Sequence, residues 1–242
     1  MTLGAIAGAT MIGALLGVGV HLLVPGAGAA GNRAAVEVQV AGAQLDRSQL
    51  PTEVHEQQLG SSVLRVGSQG CGESRQATAI VVRVPGGEMV VLTNAHVVRG
   101  AGTLELTTQE GEVQADVAGA VTGRDAAVIR VPEGVTRSWS AMTVGPPAEL
   151  GQPVVVAGYP GAEPQLLAGT VASIERRSGF GGSSDVLIID APAENGLSGG
   201  AVLDARGRVV GLVVARDPAT RRVVAHPIES VIDGMVGAIP TC

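Results

Sequence analysis

The chain has 242 residues, a formal net charge of −6 and 45% hydrophobic residues, enough to bury a sizeable core. Every basic residue is Arg, and no basic run exceeds the pairs Arg176-Arg177 and Arg221-Arg222, so nucleic acid is not an expected partner. Phe, Trp and Tyr occur once each, so the core must be built from Val, Leu, Ile and Ala.

Residues 3–24 are almost uninterruptedly apolar, broken mainly by Thr10 and His21, and are long enough to cross a bilayer as a helix. The following segment contains Ala27-x-Ala29, which satisfies a small-residue cleavage rule. Residues 1–30 therefore read as a transmembrane anchor or a signal peptide, the length favouring the anchor. The expected location is the cell membrane with the rest of the chain outside the cytoplasm, or secretion if the segment is cleaved, although Arg33 alone follows closely and the charges encode orientation poorly. Residues 31–60 are expected to form a linker, with a short alternation at Val36 to Val40 and a solvated His55.

From residue 61 the pattern changes to short Val-rich runs separated by Gly, Pro and Asp. Candidate strands are 62–68, 76–84, 88–93, 103–107, 112–122 and 126–131, then, after a connector at 132–141, 153–158, 165–175, 185–190, 200–203, 208–215 and 222–226. Pro85-Gly86-Gly87 and Ala205-Arg206-Gly207 are the clearest turns. Two sets of six strands predict an all-β protein of two six-stranded antiparallel barrels, about 61–135 and about 142–236. Ile228, Val231, Ile232 and Met235 have helical spacing, which predicts a short C-terminal helix over 227–236.

The two cysteines, Cys71 and Cys242, stand near the ends of the folded region. With an export-type N-terminus they suit a disulfide, the other reading being two free thiols in a reducing compartment. No Cys/His spacing suggests a metal site, and no cofactor is expected.

Three segments carry chemistry. In Thr93-Asn94-Ala95-His96-Val97-Val98, His96 follows a predicted strand, and a neutral imidazole there can take a proton from a hydroxyl. In Gly123-Arg124-Asp125-Ala126, Asp125 precedes a strand and can orient an imidazole, whereas its rival Asp116 lies in mid-strand. In Asn195-Gly196-Leu197-Ser198-Gly199-Gly200, glycines flank a serine, so the N–H groups of Gly196 and Ser198 can converge as an oxyanion hole. The chain order His, acid, Ser excludes the α/β-hydrolase elbow.

Taken together, the segments resemble the trypsin-like serine proteases, and TNAHVV with its compact spacing resembles the bacterial HtrA/Deg group over about residues 61–236. The apolar start, Gly158-Tyr159-Pro160-Gly161 and the Cys71/Cys242 pair are also similar to the actinobacterial MarP-type acid-resistance proteases. The resemblance implies a chymotrypsin-like fold and a triad of His96, Asp125 and Ser198. It also implies protein or peptide substrates and a primary pocket lined by residues 192–195, Val213, Val214, Ala215 and Ala225. These small apolar residues predict preference for small or medium apolar P1 side chains, with Glu194, Arg216 and His226 at the rim or in packing.

The chain departs from the pattern in three places. Leu197 replaces the aspartate that pairs with a new N-terminus in digestive proteases. Val214 stands where relatives offer a hydroxyl, and Gln76-Ala77-Thr78-Ala79-Ile80 replaces a Gly-Ser-Gly-Phe type run. The competing expectations are a non-catalytic binding module on a protease fold, and an esterase using the same triad.

Overall fold

Runs of Val, Ile and Leu, some alternating with small or polar residues, turn much of the described chain into strands, because branched side chains pack well on a pleated surface. The computed structural model describes residues 37–39, 60–70, 73–108 and 110–235. A short strand β1 (Glu37–Gln39) precedes two barrels. The first comprises β2 (Val63–Gly70), β3 (Glu73–Arg83), β4 (Met89–Thr93), β5 (Thr103–Thr108), β6 (Gly111–Ala120) and β7 (Ala127–Arg130). Its order is β2-β5-β6-β7-β4-β3, closed by the β2–β3 pairing, and β8 (Met142–Thr143) adds in parallel to β3. The second comprises β9 (Pro153–Gly158), β10 (Gln165–Ser178), β11 (Ser183–Pro192), β12 (Ala201–Leu203), β13 (Val209–Arg216) and β14 (Arg222–Pro227). Its order is β9-β10-β11-β14-β13-β12, closed by β12–β9. The expected pair of six-stranded antiparallel barrels is what forms.

Each barrel has its own apolar filling, and a third cluster joins them. Leu64, Val66, Val81, Val91, Leu106, Ile129 and the single Trp139 pack together in the first barrel. Val156, Leu167, Leu187, Ile189, Val202 and Val213 pack in the second. Between them, Ile80, Leu92 and Val128 meet Val155, Leu203 and Leu212. The expected terminal helix, α2 (Ile228–Met235), buries Ile228, Val231 and Met235 in that same joining cluster. Helix α1 (Ala95–Val98) is a single turn after β4. The interface between the barrels is thus largely apolar and buried, and residues set on its edge are held by both halves.

Two features lie outside the expected pattern. Within the segment read as a linker, β1 pairs in parallel with β10, Val38 facing Leu166. A single 3-10 turn, Val135–Ser138, interrupts the connector between the barrels. The apolar segment 3–24 and both Cys71 and Cys242 lie outside the described residues. Among the described residues, no helix is long and apolar enough to cross a membrane.

Candidate active site

Strand β4 ends on Thr93, which is fully buried and donates its hydroxyl to the carbonyl of Thr78 at 2.7 Å. The chain then enters α1 through buried Asn94, whose Nδ2 donates to the carbonyl of Asp125 at 2.8 Å. These anchors leave His96 on a one-turn helix at the barrel edge, with its side chain 41% exposed. The Asp125 carboxylate reaches it twice. Oδ1 accepts the His96 main-chain N–H at 2.8 Å, and Oδ2 lies 2.6 Å from Nδ1.

A carboxylate only accepts, so Nδ1 carries a proton and, in the neutral ring, Nε2 keeps its lone pair. Burial alone would raise the Asp125 carboxyl, but the hydrogen bonds and charge of His96 hold it below the usual carboxylate range. Asp125 therefore stays ionised near neutrality. That is the state in which it can favour an imidazolium.

Ser198 stands in the turn between β11 and β12, part-buried, with its carbonyl accepting from Thr78 N–H at 2.9 Å. Two glycines in this turn are required by close approach. Gly196 has φ 95°, and a Cβ there would lie 2.4 Å from the Tyr159 carbonyl; at Gly199, φ 83°, it would lie 2.0 Å from the Thr78 carbonyl. The N–H groups of Gly199 and Gly200 are taken by Val213 and Leu197 carbonyls, both at 2.8 Å. Those of Gly196 and Ser198 donate to no backbone carbonyl among the described residues. Leu197, which replaces the ion-pairing aspartate, is 1% exposed and packs with Val213, Ala191 and Ala193. Apolar packing fastens this turn where digestive enzymes use a charge pair.

Thr78 stands out in sequence only as part of a departure from the family's run. It is fully buried, and Oγ1 donates to the Gly196 carbonyl while accepting from Tyr159 N–H, both at 2.8 Å. With its main-chain bonds to Ser198 and Thr93, it ties the serine turn of one barrel to the histidine strand of the other. A hydroxyl at this place was visible in Gln76-Ala77-Thr78. Its partners, more than 80 positions away, were not.

Of the expected pocket residues, Val213 and Ala225 face each other across β13 and β14 and pack beside Leu197. Val214 turns to a separate cluster with Val186, Ile188 and Val224, against which Ala215 is part-buried. Glu194 and Arg216 are exposed, but His226 is fully buried rather than at the rim. Among the described residues, no group of three or more His, Cys, Asp or Glu side chains could hold a metal ion.

Comparison with known proteins gives a consistent picture. The family described as trypsin-like peptidase domain matches residues 77–212. The HhoB protein of Synechocystis sp. is 33% identical over 149 residues, covering 58% of this chain and 35% of its own length. The serine protease Do-like HtrA of Lactococcus lactis is 23% identical over 192 residues, covering 75% and 46%. This chain thus spans less than half the length of these relatives. Among solved structures, the active form of the Rv3671c protease from M. tuberculosis shares the fold with TM-score 0.71 and 24% identity, over 92% of this chain and 96% of that one. The HtrA-type protease AlgW with a tripeptide matches with TM-score 0.67 and 24% identity, over 76% and 62%.

Proposed function

This chain belongs to the trypsin-like peptidase family, and we propose that it is a serine endopeptidase that works through Ser198, His96 and Asp125. The observation that carries the reading is the double grip of Asp125 on His96, which leaves Nε2 as the free base. Ser198 Oγ attacks the scissile carbonyl carbon while His96 Nε2 takes its proton. The oxyanion is met by the N–H groups of Gly196 and Ser198, each donor worth about 3–4 kcal/mol of barrier. His96 then protonates the leaving amine, and the acyl-enzyme is hydrolysed by water activated at the same nitrogen. No step needs a metal or organic cofactor.

The pocket reading follows the same support. Val213, Ala225 and Ala193 are buried in the apolar cluster that packs Leu197 of the serine turn, and with the resemblance to trypsin-like proteases they support small or medium apolar P1 residues. The N-terminal apolar segment and the Cys71/Cys242 pair support action outside the cytoplasmic membrane, with residues 3–24 as anchor if uncleaved and the cysteines bridged. A fluorophosphonate probe tests the catalytic reading. Labelling of the wild type, lost in Ser198→Ala, is expected; a folded wild type that takes no label and cleaves no peptide is a binding module instead.

A further inference from the structure

The triad leaves one buried histidine without a task. His226 sits near the end of β14, fully buried, and its Nε2 accepts the main-chain N–H of Asp125 at 3.3 Å. Its Nδ1 is buried and makes no hydrogen bond of normal geometry, although the Phe180 backbone acts on it, and the ring stands edge-on to Phe180, centroids 6.3 Å apart. An accepting Nε2 makes the ring neutral, with the proton on Nδ1. A leucine or isoleucine would fill the same space without stranding a polar nitrogen, so packing alone gives no reason for a histidine here.

We propose that His226 is a positioning residue, holding the main chain of Asp125 from the second barrel so that its carboxylate meets His96 squarely. The inference rests on Asp125 being the acid of the triad. Every hydrogen-bonding group of Asp125 is then engaged: N–H by His226, carbonyl by Asn94, and the two carboxylate oxygens by His96. The second barrel also closes on the same loop at two other points. Gly181 approaches so closely that a Cβ would lie 2.7 Å from Asp125 N, and Arg124 Nε donates to Ser230 Oγ of α2 at 3.1 Å. The aspartate belongs to the first barrel, which holds its carbonyl through Asn94, yet its main-chain N–H is held from the second.

The ring must stay neutral to accept. The charged groups that act on it are Arg124 and Asp125, both on the loop it holds; Phe180 and its β13 partner Leu212 bring no charge. Burial and the Arg124 charge push His226 down to about 4, against the opposing pull of Asp125 and the Phe180 backbone. The acceptor therefore persists at neutral pH.

The test uses His226→Leu, which removes the acceptor, and His226→Gln, which restores one at similar reach without a titrating ring. For His226→Leu, kcat on a peptide substrate is expected to fall about 10- to 100-fold with KM nearly unchanged, the cost of one buried bond left unmade. His226→Gln should recover to within about threefold of wild type, as expected when an acceptor of similar reach replaces the lost one. The strongly deshielded Nδ1 proton of the 2.6 Å His96–Asp125 bond, read by NMR, should be lost or shifted in the leucine variant and retained in the glutamine variant. This resonance reports on the aspartate even if the wild type cleaves no substrate offered, so failure of the protease reading and failure of this inference remain distinct. Wild-type kcat and resonance in folded His226→Leu, or equal loss in folded His226→Gln, would overturn the proposal. If the leucine variant does not fold, His226→Met takes its place under the same criteria.

Discussion

Replacing Asp125 by asparagine leaves the volume nearly unchanged and exchanges one oxygen for an amino group, yet the contacts around it dictate a large effect. In the wild type both oxygens accept, from His96 N at 2.8 Å and from Nδ1 at 2.6 Å. The amide introduced by Asp125→Asn would keep one acceptor and gain a donor group, so only one of those bonds can persist as built. If the amide oxygen keeps the main-chain N–H, its NH2 faces Nδ1, which must give up its proton and accept. The ring proton then moves to Nε2, where it blocks removal of the Ser198 proton. The expected loss is about 10⁴-fold in kcat, or about 5.5 kcal/mol of barrier. Stability should change far less, by about 1–2 kcal/mol for a partly retained hydrogen-bond set. Steady-state cleavage of an apolar-P1 peptide, with a thermal melt in parallel, measures both. A folded Asp125→Asn variant within about tenfold of wild-type kcat would refute the tautomer argument, since the wrong tautomer is what costs the rate.

Two further outcomes follow from buried groups beside the triad. Thr78→Val keeps the shape but strands the Gly196 carbonyl and the Tyr159 N–H, so stability should fall by about 1–3 kcal/mol, with kcat falling more than KM rises; Thr78→Ser should restore both. The pH dependence of melting has a definite sign. His226 is held near 4 in the folded state against an ordinary 6.5, so the unfolded chain binds the extra proton first as pH drops. Stability contributed by its neutral form is therefore complete above about pH 6.5 and lost progressively towards pH 4, by about 3 kcal/mol in all. Asp125, held below its usual 3.8, contributes stability above that value and loses it only as pH falls further, through its folded pKa. Melts of wild type and His226→Gln between pH 7 and 4 should diverge, and parallel curves would refute this linkage.

Strand positions were legible because short Val-rich runs, several of them buried on both faces like β9, β13 and β14, are bounded by Gly, Pro and Asp turns. The candidate triad was legible for a different reason. His96 and Ser198 stand in distinctive local stretches, whereas Asp125 is assigned by chain order, by the strand that follows it and by the resemblance to trypsin-like proteases. The strand β1, by contrast, is three residues long and owes its existence to β10, a partner that no local pattern announces.

The amino-acid sequence by itself predicted two six-stranded barrels from its short strands and turns, while the candidate triad and the replacement of an ion pair by Leu197 were read through the resemblance its motifs carry. Only the tertiary structure decided what Thr78 and His226 do. Thr78 acts on residues 81 and 118 positions away, and His226 on one 101 positions away. Their roles arise where two barrels close on one buried interface. A hydrogen bond has meaning there only once both of its partners have been carried to the same place.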